Sequence, residues 1–152
     1  MTAGPPEYAL GPQVTVRGTP PAGFPTVPNT TAQLEGRLVL WLGPDEWLVL
    51  GGHEADYPAA AAAVDVSANR VGFELVGPAA AAMLAQGCPL DLDPAAFPAG
   101  SCAQSLLART QVILVRQALE RWLVLVRPSF APYLAAWLAE AQAGLTSHRS
   151  SR

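Results

Sequence analysis

Runs of hydrophobic residues in the middle of the chain predict a buried β-hairpin. "RLVLWL" (37–42) and "WLVL" (47–50) flank the segment "GPDE", in which Pro44 suits the second position of a type I turn. Both runs are apolar at successive positions instead of alternate ones, which is typical of strands covered on both faces. We therefore expect this hairpin to lie inside the fold.

A second strand pair and two short helices are predicted next. "VDVS" (64–67) and "RVGFELV" (70–76) predict strands that pair around a turn at Ala68-Asn69. "DYPAAAAAV" (56–64) allows a short helix begun by its aspartate. "PAAAAMLAQ" (78–86) predicts another helix, in which the proline is tolerated in the first turn and the following glycine ends it.

Three more strands and a final helix are predicted in the last third of the chain. The strand segments are "SCAQSLL" (101–107), "QVILVR" (111–116) and "RWLVLVR" (121–127). Ser129 is placed to cap a helix that runs to about residue 140. Apolar residues recur on one face of this helix: Leu134, Trp137, Leu138 and Ala141.

This order of elements predicts a single α+β domain, an antiparallel-rich mixed sheet with helices packed on it. Residues 1–34 hold seven prolines by position 28 and predict a proline-rich, extended N-terminal arm. The arm is either a loose tail or a segment that lies along a neighbouring chain. The domain itself is expected over residues 35–143, and residues 144–152 are expected to be a frayed tail.

Composition limits the classes of partner. Charged residues make up 14% of the chain, against about 25% in an ordinary soluble domain, and all nine basic residues are arginine. Either a surface covered by another subunit or a GC-rich genome explains this composition. The net charge of −3, with no arginine cluster, argues against nucleic acid.

No run of 18 apolar residues predicts a membrane span, and the N-terminus lacks the pattern of a signal peptide. A cytoplasmic protein is the simplest expectation. Cys88 and Cys102 are then expected to be reduced thiols. With two distant histidines they do not provide the ligand set of a zinc site.

Catalytic patterns are sparse. No strand is followed by the glycine-rich turn that binds a dinucleotide. His53, in a Gly-Gly-His-Glu loop, is expected to be solvated, and His148 falls in the predicted tail. Asp45-Glu46 occupies a tight turn. Since the two carboxylates there point apart into water, neither is expected to act as an acid or base in catalysis.

Other polar residues are expected to stabilise turns. Asp91 and Asp93 lie among prolines, where aspartate commonly bonds its own backbone. Asp65 and Ser67 alternate on one face of a short strand, and local backbone bonding is the favoured interpretation there too. We predict no catalytic and no metal-ligating residue in this chain.

Two residues are candidates for an interface with a partner. Trp47 lies at the edge of the predicted hairpin turn, and exposed aromatic residues often anchor interfaces. Arg70 is the first residue of the predicted strand 70–76, directly after the turn at Ala68-Asn69.

Residues 65–84, "DVSANRVGFELVGPAAAAML", resemble the folate-binding domain of the glycine-cleavage T-protein. In that family an Asp-Val-Ser-His segment leads through a strand into Gly-Pro-Asp-Ala and a leucine-bearing helix. The positions that match here are Asp65, Val66, Ser67, Gly77, Pro78, Ala80 and Leu84.

Four longer segments carry a wider resemblance: "LGPDEWLVL" (42–50), "DVSANRVGFELVGPAA" (65–80), "GCPLDLDPAAFPAGSCAQSLLARTQVILVR" (87–116) and "WLVLVRPSFAPYLAAWL" (122–138). Together they resemble the gamma subunit of heterotetrameric sarcosine oxidase over about residues 35–140. The Gly-Cys-Pro-Leu-Asp-Leu run and the Arg-Pro-Ser-Phe before the last helix are the most specific parts.

The resemblance implies an accessory gamma subunit, structural and not catalytic, of a complex that oxidatively demethylates sarcosine to glycine. Its implied partners are the alpha, beta and delta subunits. FAD, covalent FMN, NAD, tetrahydrofolate and zinc are implied for those other subunits, and no cofactor is implied for this chain.

Departures from the T-protein pattern also indicate a chain that is not catalytic. The T-protein has an acidic pair at the start of the strand that here covers residues 111–116, and Thr110-Gln111 stands in its place. Ala68 replaces the histidine of the Asp-Val-Ser-His motif. Asp65 is the one candidate left for a folate contact. A stand-alone folate-binding or aminomethyltransferase-like protein is the alternative.

Overall fold

The computed structural model describes residues 5–60 and 62–150, with side chains up to Leu145. Within these residues lie ten strands and two α-helices. In chain order they are β1 (Glu7–Tyr8), β2 (Gln13–Arg17), β3 (Thr31–Leu34), β4 (Arg37–Gly43), β5 (Glu46–Leu50), β6 (Ala62–Asp65), β7 (Val71–Val76), α1 (Ala80–Ala85), β8 (Ser101–Leu107), β9 (Thr110–Ala118), β10 (Arg121–Val126) and α2 (Ala131–Ser150). One-turn 3₁₀ helices cover Glu54–Asp56 and Pro128–Phe130.

The strands form two five-stranded sheets. Sheet 1 has the order β1-β7-β10-β9-β8, and sheet 2 has the order β3-β4-β5-β2-β6. Every strand pairing in the described part of the chain is antiparallel. The predicted α+β class is confirmed, and its sheet content is divided between two sheets.

Sheet 1 is the middle layer of the molecule. One face packs against both helices, as Trp122 and Val124 meet Leu134 and Leu138 in one buried cluster. The opposite face packs on sheet 2 through a second cluster that includes Ile113, Val115, Leu123 and Leu125 of sheet 1 with Leu38, Leu40, Leu48 and Leu50 of sheet 2. Cover on both faces explains why β9 and β10 are apolar at successive positions.

The outer face of sheet 2 is covered by chain segments instead of helices. Val14, Val16 and Val49 form a third buried cluster with Trp47, and Phe24 lies against it. The Phe24 ring meets the Trp47 ring edge-on, with 5.7 Å between centroids. The loop after β2 therefore completes the core of the domain.

The N-terminal segment is the largest departure from the sequence-based expectation. It is extended, but β2 lies inside sheet 2, between β5 and β6. β1 pairs with β7 at the edge of sheet 1. The segment "QVTVR" joins sheet 2 because its alternate residues Val14 and Val16 point into the core. The prolines before and after the segment do not prevent this. Residues 5–34 thus form part of the domain and not a separate arm.

Three smaller expectations also need correction. β6 pairs with β2 in sheet 2, whereas β7 pairs with β1 and β10 in sheet 1, so the two are not a hairpin. The helix expected over residues 56–64 is replaced by the 3₁₀ turn at Glu54–Asp56 and by β6. α2 continues to Ser150, so residues 144–150 are helical and not a frayed tail. Residues 151 and 152 lie outside the described residues.

A buried arginine holds the loop between α1 and β8. The Arg116 residue is 3% exposed, and its Nη1 donates to the carbonyl oxygens of Leu92 at 3.0 Å and Phe97 at 2.9 Å. Its Nε and Nη2 donate to the carbonyl oxygen of Leu119 at 3.1 and 2.8 Å. The guanidinium carbon also lies 4.6 Å from the centroid of the Trp122 ring. This side chain joins the loop to β9 and to the β9–β10 turn.

Candidate functional site

The segment from Asp65 to Arg70 forms a tight turn that leads from sheet 2 to sheet 1. Oδ1 of Asp65 accepts hydrogen bonds from the backbone N–H of Ser67 at 2.8 Å and from its hydroxyl at 2.6 Å. These two bonds hold the pKa of the Asp65 carboxyl below its ordinary value, because they favour the ionised form. Asp65 is exposed, and both hydrogen bonds to its Oδ1 come from within the turn.

Gln13, at the start of β2, fixes this turn from inside the protein. It is 1% exposed, and its Nε2 donates to the carbonyl oxygens of Ser67 at 3.1 Å and Arg70 at 3.0 Å. Its backbone N–H donates to the Ser67 hydroxyl at 3.0 Å. Asp65 and Ser67 therefore stabilise a turn, as the pattern predicted.

The remaining acidic candidates also have local structural contacts. Oε2 of Glu46 pairs with Nη2 of Arg17 at 3.2 Å across β5 and β2. Oδ1 of Asp91 accepts the backbone N–H of Asp93 at 3.0 Å, and Oδ1 of Asp93 accepts that of Ala95 at 2.9 Å. Asp91 and Asp93 thus bond nearby backbone groups, as expected for aspartates in turns.

The histidine and cysteine candidates are dispersed. His53 is exposed, and the side chain of His148 lies outside the described residues. Cys88 and Cys102 are free thiols. Burial raises the pKa of the Cys102 thiol to about 11. Over the described residues, no three His, Cys, Asp or Glu side chains are grouped closely enough to hold a metal ion.

Trp47 lies in the core of the domain and not on its surface. Its side chain is 1% exposed, and Nε1 donates to the carbonyl oxygen of Pro25 at 2.8 Å. Phe24 and Pro25 supply this cover, which the sequence pattern did not reveal because they come from the segment expected to be an arm. The expectation that Trp47 is an exposed anchor is corrected by this burial.

Arg70, by contrast, lines a cleft with a volume of about 440 Å³, whose other described lining residues lie on β8, β9 and β10 of sheet 1 and in the segments next to these strands. Ile113 and Leu125, both buried, form its apolar floor on the face of sheet 1 that is turned toward sheet 2. Leu106 lines the cleft from the edge strand β8 and is 48% exposed. Two glutamines, Gln104 and Gln111, add polar groups to the wall.

A second arginine, Arg127, lines the same cleft opposite Arg70. Val71 and Val126 are Cα partners at the end of the β7–β10 ladder, and the two arginines come directly before and after them. Burial lowers the pKa of the Arg70 guanidinium, and the positive charge of Arg127 lowers it further. The Arg70 side chain still carries its positive charge, because arginine cannot lose its proton in a protein.

Neither cleft arginine is neutralised within the described part of the chain. The ion pairs there join Arg17 to Glu46 and Arg37 to Asp56. Glu46 acts on Arg70 from a distance and raises its pKa, while its own carboxylate pairs with Arg17. No aspartate or glutamate is among the described residues that line the cleft.

Sequence reasoning identified Arg70 but missed Arg127 and the cleft. Arg127 stands between the last strand and Pro128, inside the Arg-Pro-Ser-Phe segment. The position of Arg127 before a proline indicates the end of a strand, but only the register of β7 against β10 shows that the two arginines lie together.

Among the described residues, no helix is long and apolar enough to cross a membrane.

Comparison with known proteins agrees with the resemblance seen in the sequence. The model of the sarcosine oxidase gamma subunit family matches residues 24–144. The sarcosine oxidase subunit gamma of Corynebacterium sp. (strain P-1) is 35% identical over an alignment of 163 positions, which covers 93% of this chain and 80% of the relative. That of Arthrobacter sp. has the same identity and coverage.

A solved structure shows the same fold. A chain of the heterotetrameric sarcosine oxidase from Corynebacterium sp. U-96, in complex with pyrrole 2-carboxylate, superposes with a TM-score of 0.82 at 31% sequence identity. The match covers 91% of this chain and 82% of the other. The present chain belongs to the sarcosine oxidase gamma subunit family.

Proposed function

We propose that this chain is a structural gamma subunit of a heterotetrameric complex that oxidatively demethylates sarcosine to glycine, and that it has no active site of its own. Family membership and the likeness to a chain of a heterotetrameric sarcosine oxidase support the assignment to such a complex. The alpha, beta and delta subunits are the proposed partners. A cytoplasmic location stays a prediction from the sequence.

The state of Asp65 is the observation that carries the non-catalytic role. This carboxylate is the one candidate for a folate contact, yet it is exposed and bonded to Ser67 in a turn. A general base needs a pKa near the working pH, whereas the pKa of Asp65 is lowered from an ordinary value that is already far below neutral. FAD, FMN, NAD, tetrahydrofolate and zinc are accordingly proposed for the other subunits.

Co-expression with the other three subunits from the same source tests the assembly. A tag on this chain is expected to recover the partner subunits together with sarcosine-oxidising activity. In the assembled complex, Asp65→Asn is expected to leave kcat and KM for sarcosine within about twofold of wild type, because the change lies outside the chemistry. Recovery of this chain alone, with the partners present in the lysate, would overturn the proposal.

Calorimetry with tetrahydrofolate on the isolated full chain tests the alternative of a folate-dependent protein. No heat of binding is expected. Micromolar binding that is lost in Asp65→Asn would establish a folate site on this chain and contradict the structural role.

A further inference from the structure

The two arginines of the cleft form an arrangement that is unfavourable in the isolated chain. Arg70 and Arg127 lie across from each other at the end of the β7–β10 ladder. Like charges directly opposite each other on neighbouring strands destabilise a sheet. Neither guanidinium has an ion-pair partner among the described residues. Among the residues that the structure describes, the cleft therefore has two positive charges and no anion.

The chemistry of the cleft suits a carboxylate. Each guanidinium presents a planar fork of N–H donors that matches the two oxygens of a carboxylate. Ile113 and Leu125 provide an apolar floor beside these charges. A lower local dielectric there strengthens the attraction between guanidinium and carboxylate relative to bulk water.

The surroundings of the cleft indicate a macromolecular source for that carboxylate. β8 is the edge strand of sheet 1, and Leu106 is 48% exposed on it. Gln104, Gln111 and Arg127 are exposed as well, so a small ligand bound here would stay open to water on one side. Proteins generally cover an exposed edge strand that carries a large apolar side chain.

From these observations we propose that the cleft receives an aspartate or glutamate side chain of a partner subunit, held by Arg70 and Arg127, while the partner packs over Leu106. This inference rests on the proposed function, because it names the surface through which the subunit joins the complex. Arginine at the centre of an interface, flanked by apolar contacts, is a common source of binding energy.

The experiment uses the full chain, tagged and co-expressed with the other three subunits. Arg70→Gln, Arg127→Gln and the double variant are compared with Arg109→Gln and Arg121→Gln, which remove exposed arginines that do not line the cleft. The fraction of partner subunits retained is measured as the salt concentration rises. We expect the double variant to weaken association about 30-fold or more, and both control variants to match wild type.

Thermal unfolding of the isolated chains separates assembly from folding. Since the double variant removes the repulsion between Arg70 and Arg127, we expect its Tm to equal or exceed that of wild type. A structural role of the arginines within the chain would lower Tm and association together, and that result would overturn the inference.

The other outcomes are also decisive. Undiminished retention of partners by the double variant would overturn the docking surface and leave the proposed function intact. Failure of the wild-type chain to recover any partner would overturn both. If sodium benzoate as a probe stabilises the isolated wild-type chain but not the double variant, and association is unchanged, the occupant is a free carboxylate and not a partner subunit.

Discussion

Replacing Arg116 by methionine tests whether a buried cation, without a carboxylate partner, stabilises the loop of residues 87–100. Methionine keeps most of the apolar stem but removes every N–H donor. The carbonyl oxygens of Leu92 and Phe97, in residues that are 7% and 6% exposed, then lose their donor. Leu119 is 59% exposed, so water can replace the bond to its carbonyl oxygen.

The expected loss of stability follows from these contacts. Two buried carbonyl groups without a donor cost about 2–6 kcal/mol together. Removing the cation from the Trp122 ring, 4.6 Å away, adds about 1–2 kcal/mol. Methionine has no charge to bury, and this difference offsets the loss of stability by several kcal/mol. We expect a net decrease of about 3 kcal/mol in the free energy of unfolding, which lowers Tm by about 6–12 °C in a chain of this size.

Urea unfolding followed by tryptophan fluorescence measures the change, because Trp122 lies under the guanidinium. Arg121→Met is the matched control, since Arg121 is exposed and its neighbour in sequence, Trp122, is unchanged. The control is expected to stay within about 0.5 kcal/mol of wild type. Native-state hydrogen exchange is expected to show faster exchange at the amide of Phe97, which donates to the carbonyl oxygen of Asp93 at 2.8 Å.

A decrease of less than about 1 kcal/mol for Arg116→Met would refute the reasoning, since a change that small corresponds to one ordinary hydrogen bond. It would mean that the loop finds other donors once the arginine is absent. Equal losses for Arg116→Met and Arg121→Met would refute it in another way, because the effect would then come from net charge and not from the loop.

Three further predictions concern the turns and thiols. Glu35 has a φ of 52° in a two-residue turn before a glycine, so Glu35→Asn is expected to stabilise the chain by about 0.5–1 kcal/mol in urea unfolding; destabilisation would contradict a turn of this type. Brief iodoacetamide treatment at neutral pH is expected to label half-buried Cys88 before Cys102, which is 1% exposed and has its pKa raised to about 11; mass spectrometry that finds the reverse order contradicts this burial. In Ser67→Ala, NMR titration is expected to give a higher pKa for the Asp65 carboxyl than in wild type. Because the folded-state pKa is lowered in wild type, the associated stability is present above the unfolded value of about 3.9 and is lost as pH falls through the folded value. An unchanged Asp65 pKa would show that the hydrogen bond from the Ser67 hydroxyl does not lower it.

The positions of five strands could be predicted from the sequence because the local hydrophobic pattern determines them. β8, β9 and β10 each lie within two residues of the predicted limits, and β4 with β5 forms the predicted hairpin. Successive apolar positions mark strands covered on both faces, and sheet 1 has this cover from the helices and from sheet 2.

The division into two sheets was not readable, since it depends on contacts between distant parts of the chain. β6 and β7 are separated by one tight turn, and a hairpin is the simplest local interpretation of such a pair. β2 takes the place beside β6 instead, with Val14 and Val16 in the core of sheet 2. Proline content suggested an arm, but prolines outside a strand do not prevent five residues between them from joining a sheet.

The same division changes the meaning of the segment that carries the family resemblance. Because β6 belongs to sheet 2 and β7 to sheet 1, the turn from Asp65 to Arg70 passes between the sheets. Asp65 and Ser67 set the conformation of this turn, and the buried amide of Gln13 holds the carbonyl oxygen of Arg70 at 3.0 Å. The turn thereby fixes the backbone of Arg70 opposite Arg127, on the side of sheet 1 that faces sheet 2. The segment that carries the family resemblance thus positions a cation in the cleft.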